Sequence, residues 1–334
     1  VLEGQRSGGL RRRQPARGLE DFAVDVRLGE VVHLVGESGS GVVEALEVLS
    51  GARAPQAGRL LIDGLDVTAG DRSAREVWRT RVATLGESPA QGTGRQKVLR
   101  AVAEGAHRGD RRGSRSAKEA RRERAHELLD SVGIAPEARG LRLRDLTADQ
   151  AARVGLAGLL ARRPALVVVA PPGVPGVDVD LLSAVLERLR AESGTAVVQG
   201  SDRLPATLAS HERVQVLCGG RTVEVLRAGD LAHPLHPWTR ALQAGADLGA
   251  PRPDVADPGC PFRDRCDRAQ GRCAERMPDL TRPLGASHPV ACWFPEDPRP
   301  DRRPAATHLG GSGLPASTPR GHSDEPTARE FIEG

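Results

Sequence analysis

Residues 31–43 constrain this chain more than any other stretch. Val31-Val32-His33-Leu34-Val35 is an apolar run of strand length, and Gly36-Glu37-Ser38-Gly39-Ser40-Gly41-Val42-Val43 follows it directly. A strand, a glycine-rich loop and a helix in that order form a cradle for phosphate, with backbone N–H groups and the helix N-terminus facing the anion. The spacing G-x-x-x-x-G fits such a loop, and a helix is expected from Val42 through Leu49. The next two residues do not fit. A loop that works on a triphosphate places lysine and then serine or threonine after its last glycine, whereas this chain has Val42 and Val43. Gly36, Glu37, Ser38, Gly39, Ser40, Gly41, Val42 and Val43 are the candidate nucleotide-binding set. Binding of ATP by it is expected to be weak or lost, because the lysine and the hydroxyl that meet phosphate and magnesium are missing.

The strand–loop–helix order recurs along the chain. After Arg59–Gly64, read as a strand and turn, a strand is expected near Val82–Leu85, ending in the loop Gly86-Glu87-Ser88-Pro89. Residues 99–133 read as one highly charged helical stretch that stops at Gly133. A helix over Asp149–Leu160, an apolar strand over Ala165–Ala170, a helix over Leu181–Arg190 and strands at Thr195–Gln199 and Val214–Leu217 complete the pattern. This is an α/β chain with a mainly parallel sheet. The core must come from Leu, Val and Ala, because the chain of 334 residues has four Phe, three Trp and no Tyr.

Forty-eight basic residues against 44 acidic ones leave a net charge of +4, which gives no reason to expect a nucleic-acid partner. No stretch approaches the ~20 apolar residues that span a bilayer, and no apolar leader is visible at the N-terminus. No direct membrane insertion is expected, and a cytoplasmic location follows as the expectation.

Composition divides the chain into a flexible segment 1–20, a nucleotide-binding domain 21–244, a Cys-rich extension 245–296 and a disordered tail 297–334. The extension holds Cys260-x5-Cys266-x6-Cys273-x18-Cys292. Four cysteines in a reducing compartment suit metal better than disulfides. The tight C-x2–4-C knuckles usual for structural zinc are absent, while iron–sulfur clusters tolerate varied spacing. Cluster, zinc, and reduced or disulfide-bonded cysteines all remain open on spacing alone. Cys218, in an apolar strand, reads as core, and His211, His233 and His236 read as surface or packing residues.

From about Phe22 to Phe294 the chain resembles the ATP-binding subunits of bacterial ABC importers for dipeptides and oligopeptides. Leu34–Gly41, Arg221-Thr222-Val223-Glu224, His236-Pro237-Trp238-Thr239-Arg240-Ala241-Leu242 and Gly259-Cys260-Pro261-Phe262 with the later cysteines carry that resemblance. It implies a P-loop ABC-type ATPase domain with a helical subdomain, a small Cys-rich C-terminal extension, and a [4Fe–4S] cluster at the four cysteines, with zinc less favoured. The implied partners are transmembrane permease subunits and a second ABC ATPase subunit forming a heterodimer, with the protein peripheral at the inner face of the cell membrane.

Nearly every catalytic position departs from the family pattern. Glu87 stands for a glutamine, and Leu146-Thr147-Ala148-Asp149-Gln150 stands for L-S-G-G-Q. Ala170-Pro171-Pro172 replaces Asp-Glu-Pro, and Ser201, ahead of Asp202, replaces the switch histidine. Only Asp178 is similar to the family's D-loop. Hydrolysis by this site is expected to be lost. Two rival readings accompany that one: hydrolysis rescued in the heterodimer, and a metal-binding scaffold or regulator outside transport.

Overall fold

Short valine-rich runs form the sheet, and Leu166–Val169, buried along its whole length, is apolar throughout for that reason. The structure, a computed structural model, describes residues 18–68, 70–86, 95–105, 114–171, 177–245 and 258–296. The segments 1–17 and 297–334, the loop Glu87-Ser88-Pro89 and Pro172 lie outside the described residues.

Strand β1 (Val31–Val35) is flanked by β6 (Ala196–Ser201) and β7 (Glu212–Cys218), both parallel to it. Strands β4 (Val82–Leu85) and β5 (Leu166–Val169) extend the parallel part beyond β6. On the other side β8 (Arg221–Leu226) pairs antiparallel with β7, giving the order β4-β5-β6-β1-β7-β8. A separate hairpin joins β2 (Leu61–Ile62) to β3 (Leu65–Asp66) through Asp63-Gly64. Both turn residues have positive φ, 55° and 77°, as a two-residue hairpin turn demands. The expected strand Arg59–Gly64 is thus reduced to two paired residues before its turn.

Helices cover both faces. On one face α1 (Val42–Leu49) and α2 (Arg72–Arg81) pack on Val32, Leu34, Val168 and Val198. On the other, α3 (Val98–Gly105), α4 (Arg115–Ser131), α5 (Ala148–Arg162) and α6 (Val179–Ser193) bury leucines and valines against Val167, Val169 and Val197. The single helical stretch expected over 99–133 is two helices. Gly105, Gly109 and Gly113 weaken helix propagation, and Ser114 starts α4 afresh by accepting a hydrogen bond from Ala117 N–H at 3.2 Å. Gly133 (φ 75°) does stop α4 as expected. Ile134 N–H reaches back to the Leu129 carbonyl at 2.9 Å in the manner of a glycine C-cap. Among the described residues no helix is long and apolar enough to cross a membrane.

Residues 258–296 add to the outer side of β8 and to α7 (Pro237–Gln243). Ala291 N–H donates to the Val223 carbonyl (2.8 Å) and Val225 N–H to that of Pro289 (3.2 Å). Trp238, fully buried, meets Phe262 edge to face at 5.3 Å, and the Arg265 guanidinium lies 5.3 Å from both rings. At the centre of this junction is Glu224, also fully buried. Its carboxylate accepts from Leu235 N–H (2.5 Å), His236 N–H (3.3 Å) and His288 Nε2 (2.6 Å). His288 Nδ1 lies 3.2 Å from Asp230, which also accepts from Ser287 Oγ.

Burial disfavours a charged His288, but the hydrogen bond and charge of Glu224 and the charge of Asp230 outweigh it and raise the histidine's pKa. A group whose pKa is raised by folding stabilises fully below its unfolded value and loses that contribution as pH climbs through the folded value. We expect the urea midpoint of the wild type to fall between about pH 6 and about pH 9, and to fall less in His288→Gln. Equal pH dependence in the two proteins would assign the loss to other groups.

Candidate functional site

The loop after β1 sits at the carboxyl ends of the parallel strands, where α/β sheets place their ligands. Its shape is held from within. Gly36 N–H donates to the Ser201 carbonyl (3.0 Å), Ser40 N–H to that of Glu37 (2.9 Å), and Gly220 N–H to that of Ser40 (2.8 Å). A Cβ on Gly36 would meet Ser40 Oγ at 2.5 Å and the Leu217 carbonyl oxygen at 2.6 Å. A Cβ on Gly41 would stand 2.9 Å from Gly220 Cα, and Gly41 itself has φ 102°. Gly41 caps α1 with no side chain turned back onto the first turn, so that turn's N–H groups face the cradle. Ser40 Oγ is buried and, among the described residues, lacks a hydrogen-bond partner.

The structure places Gly36–Val43 together as the sequence suggests, but the last two side chains do other work. Val42 is buried in the core with Leu46. A Cβ built on Gly200 would meet Leu46 Cδ1 at 2.5 Å, Val42 Cγ1 at 3.0 Å and Pro171 Cδ at 3.1 Å. Val42 therefore packs across the ends of β5 and β6, apolar ground where a magnesium triphosphate would be met by charge. Val43 is 54 % exposed and offers no oxygen to a cation. Beyond β5 the chain continues as Ala170-Pro171, with Ala170 N–H donating to Leu85. Beyond β6, Ser201 Oγ accepts from Arg203 N–H at 3.0 Å. None of these groups is a carboxylate or an imidazole that could hold magnesium or activate water.

A cleft of about 560 Å³ opens beside the loop, lined by Glu37, Asp202, Arg203, Leu204, Leu242 and Gln243 among others. Of this lining, Glu37 belongs to the candidate nucleotide-binding set and Asp202 follows Ser201, while the rest was not singled out from sequence as part of a site.

Leu146–Gln150 turns out to be a helix start. Thr147 caps α5, its hydroxyl accepting from Gln150 N–H (3.3 Å) while Gln150 Oε1 accepts from Thr147 N–H (3.1 Å). Asp149 lies in the first turn, where a helix dipole favours negative charge, and accepts from Arg153 at 3.0 Å. Its charge is paired within its own helix. Asp178 likewise caps α6, accepting from Asp180 N–H at 3.3 Å.

The four cysteines of the C-terminal segment line one small cavity of about 20 Å³, together with His236, Arg263, Arg268 and Trp293. Among the described residues no disulfide forms, and no three His, Cys, Asp or Glu side chains stand close enough to hold a single metal ion. Burial pushes the Cys260 thiol up to about 11 and the Cys292 thiol up to about 12, and raises that of Cys266. Charges on the neighbouring cysteines act in the same direction at Cys260 and Cys292. His236, read from sequence as a packing residue, is 1 % exposed and turned into this cavity. Its Nδ1 accepts from Trp238 N–H at 3.0 Å, which caps α7, and its Nε2 has no hydrogen-bond partner among the described residues. The clue in the sequence was its place directly before Pro237, at a helix start. Cys218 is fully buried in the core, as read.

The capping box gives a direct test of the α5 start. Thr147→Ala should lower stability by about 1 kcal/mol in chemical denaturation, and Thr147→Ser should restore most of it. An unchanged midpoint in the alanine variant would show that the box does not hold this helix.

Comparison with known proteins places this geometry. Residues 19–170 match the family model described as ABC transporter. A probable peptide ABC transporter ATP-binding protein of Sinorhizobium fredii, y4tS, is 30 % identical over 318 residues, covering 89 % of this chain and 86 % of that protein. A putative peptide import ATP-binding protein of Brucella ovis is 32 % identical over 296 residues, covering 82 % and 90 %. Among solved structures, a dimeric ATP-binding cassette, MJ0796, bound to ADP and Pi, superposes with a TM-score of 0.52 at 22 % identity, over 63 % of this chain and 90 % of that one, a likeness of fold. The chain belongs to the ATP-binding proteins of ABC transporters.

Proposed function

We propose that this chain is the ATP-binding-cassette subunit of a peptide importer and that its own nucleotide site is catalytically impaired. The relatives named for peptide transport support the substrate class. One observation carries the impairment. The phosphate cradle is intact in backbone, while Val42, Val43, Pro171 and Ser201 occupy the positions that bind and activate the nucleotide in the family. Backbone N–H groups at the start of α1 can hold a phosphate without side chains. Val42, Val43, Ala170 and Pro171 offer a magnesium ion no side-chain ligand. Loss of a single electrostatic stabiliser typically lowers turnover ~10²–10³-fold, and several are missing together. On this reading the chain docks on permease subunits at the inner face of the membrane. It pairs with a second ATPase subunit that carries hydrolysis, and Leu146–Gln150 faces that partner's nucleotide.

Residues 245–296 act in this proposal as a Cys-rich extension stapled by a [4Fe–4S] cluster. Cys260, Cys266, Cys273 and Cys292 converge on one cavity without forming disulfides. Burial and neighbouring charge oppose ionisation of Cys260 and Cys292, which a cationic iron centre would reverse. When bound, the cluster would cross-link the segments that carry Cys260, Cys266, Cys273 and Cys292, the third of them on the short helix Gly271–Glu275.

The test is calorimetric titration of the chain with ATP, with and without magnesium. The expected result is weak, millimolar, magnesium-independent binding. Val42→Lys adds a hydrogen bond to a charged group, about 1.5–3 kcal/mol, and should tighten binding about tenfold or more, with folding checked by circular dichroism. Tight magnesium-dependent binding by the wild type would instead favour hydrolysis rescued within a heterodimer.

A further inference from the structure

The cleft beside the phosphate-type loop is shaped by three segments. Glu37 comes from the loop itself, Asp202 and Arg203 follow the end of β6, and Leu231 and Leu242 stand before and within α7. Ser201 fixes the turn that carries the middle pair: its Oγ donates to the Arg203 carbonyl (2.9 Å) and accepts from Arg203 N–H (3.0 Å). Gln243 Nε2–H donates to the Leu231 carbonyl (2.7 Å), tying the end of α7 to the chain before it. Leu204, Leu231 and Leu242 belong to the apolar cluster around Trp238, so the apolar part of the lining is anchored in the core. The volume, about 560 Å³, falls in the roughly 300–1,000 Å³ range of small-molecule sites.

The charges in this lining are not used up by the fold. Among the described residues Asp202 and Arg203 enter no ion pair, with each other or with a neighbour. Glu37 Oε2 is closed off from solvent and has no hydrogen-bond partner among the described residues. A carboxylate oxygen taken out of water without a donor is costly, so an N–H group arriving in the cleft gains by meeting it. The mixture of groups then selects the class of ligand. Two carboxylates repel a polyanion such as a nucleotide. The guanidinium beside Asp202 repels a bare metal cation, and among the described residues no three metal-ligating side chains stand together. A wholly apolar molecule would leave the charges desolvated and unpaired. A zwitterion with an aliphatic side chain satisfies every group: an ammonium for Glu37 and Asp202, a carboxylate for the forked donors of Arg203, and hydrocarbon for the three leucines.

We propose that this cleft binds a free amino acid or short peptide through its charged termini, with an aliphatic side chain against Leu204, Leu231 and Leu242. This deepens the peptide-import reading and rests on it for its meaning, since such molecules are what an importer delivers to the side where its ATP-binding subunit lies. Both charged parts of the cleft are joined to the loop. The Glu37 carbonyl accepts from Ser40 N–H (2.9 Å), and the Ser201 carbonyl, next to Asp202, accepts from Gly36 N–H (3.0 Å). An occupant held at Glu37 and Asp202 therefore bears on the backbone of the phosphate cradle, and the cleft reports the delivered product to that loop.

The experiment is calorimetric titration of the full chain, without nucleotide, using leucine, dileucine, N-acetyl-dileucine and dileucine amide. The expected result is saturable binding of leucine or dileucine, the tighter of the two giving the length of the ligand. Capping either terminus should weaken binding by about tenfold or more. Arg203→Gln should weaken dileucine by a similar factor and add little to the loss already caused by the amide, because both changes break one contact. Glu37→Gln should stand in the same relation to N-acetyl-dileucine. Arg203 is exposed, and circular dichroism checks that its variant folds. A merely structural role for these side chains would weaken every probe alike. That pattern overturns the proposal, as does equal binding of the capped probes or the absence of saturable heat from both leucine and dileucine. The ATP titration reads the impaired nucleotide site separately. Dileucine binding beside tight magnesium-dependent ATP binding would keep this site and remove the impairment, whereas weak ATP binding without dileucine binding would do the reverse.

Discussion

Close packing around the turn between β1 and α1 governs this structure. Gly36 lies against Ser40 and the Leu217 carbonyl, Gly41 against Gly220, and Gly220 in turn hydrogen-bonds the Ser40 carbonyl. Gly220 is also pressed against the Gly18 carbonyl, so three segments far apart in sequence meet where a side chain has no room. These glycines are required by the protein's own backbone whether or not a phosphate is ever bound. That separates the shape of the loop from its chemistry. Val42 and Val43 carry no charge to offer a nucleotide, and Val42 adds apolar burial with Leu46 beside the end of β6.

What could be read from sequence follows from how local each cause is. The span of α1 and the strand β1 were legible because an apolar run, glycines and a helix start are local signals. Gly133 ended α4 for the same reason. The start of α4 was also written locally, in the capping residue Ser114, but the charged helical composition around it masked it. The Asp149–Arg153 contact joins side chains four residues apart on α5, the spacing at which helix geometry makes neighbours. The convergence of the cysteines was beyond spacing, since Cys273 and Cys292 are brought together by tertiary contacts. His236 could not be assigned to their cavity until Glu224 and Trp238 fixed its ring.

Glu224 explains why the segment 258–296 belongs with the sheet. A carboxylate removed from water is tolerated only when donors surround it. Here two backbone N–H groups at the start of α7 and the imidazole of His288 do so. The backbone donors come from the core and the imidazole from the C-terminal segment, so neither part alone satisfies the charge. Detaching the segment would expose apolar surface at Trp238 and Phe262 and also strip this carboxylate of its shortest side-chain partner. Loss of one partner from a buried charged group typically costs about 3–5 kcal/mol, which makes separation of the segment a cooperative event.

The β7–β8 turn then links the two halves of the molecule physically. Gly220 touches the phosphate-type loop, while a Cβ on its neighbour Gly219 would meet Pro261 Cβ at 2.7 Å, directly after Cys260. Trp238 Nε1–H donates to the Leu217 carbonyl (3.2 Å), the same oxygen that limits Gly36. One carbonyl and two adjacent glycines therefore touch both the turn after β1 and the chain beside Cys260 and Trp238. Neither side can shift by an ångström without the other, because packed interiors do not deform continuously. With or without a bound phosphate, the chain needs that loop in place, since Gly220 and Leu217 join it to the turn and helix against which the C-terminal segment packs.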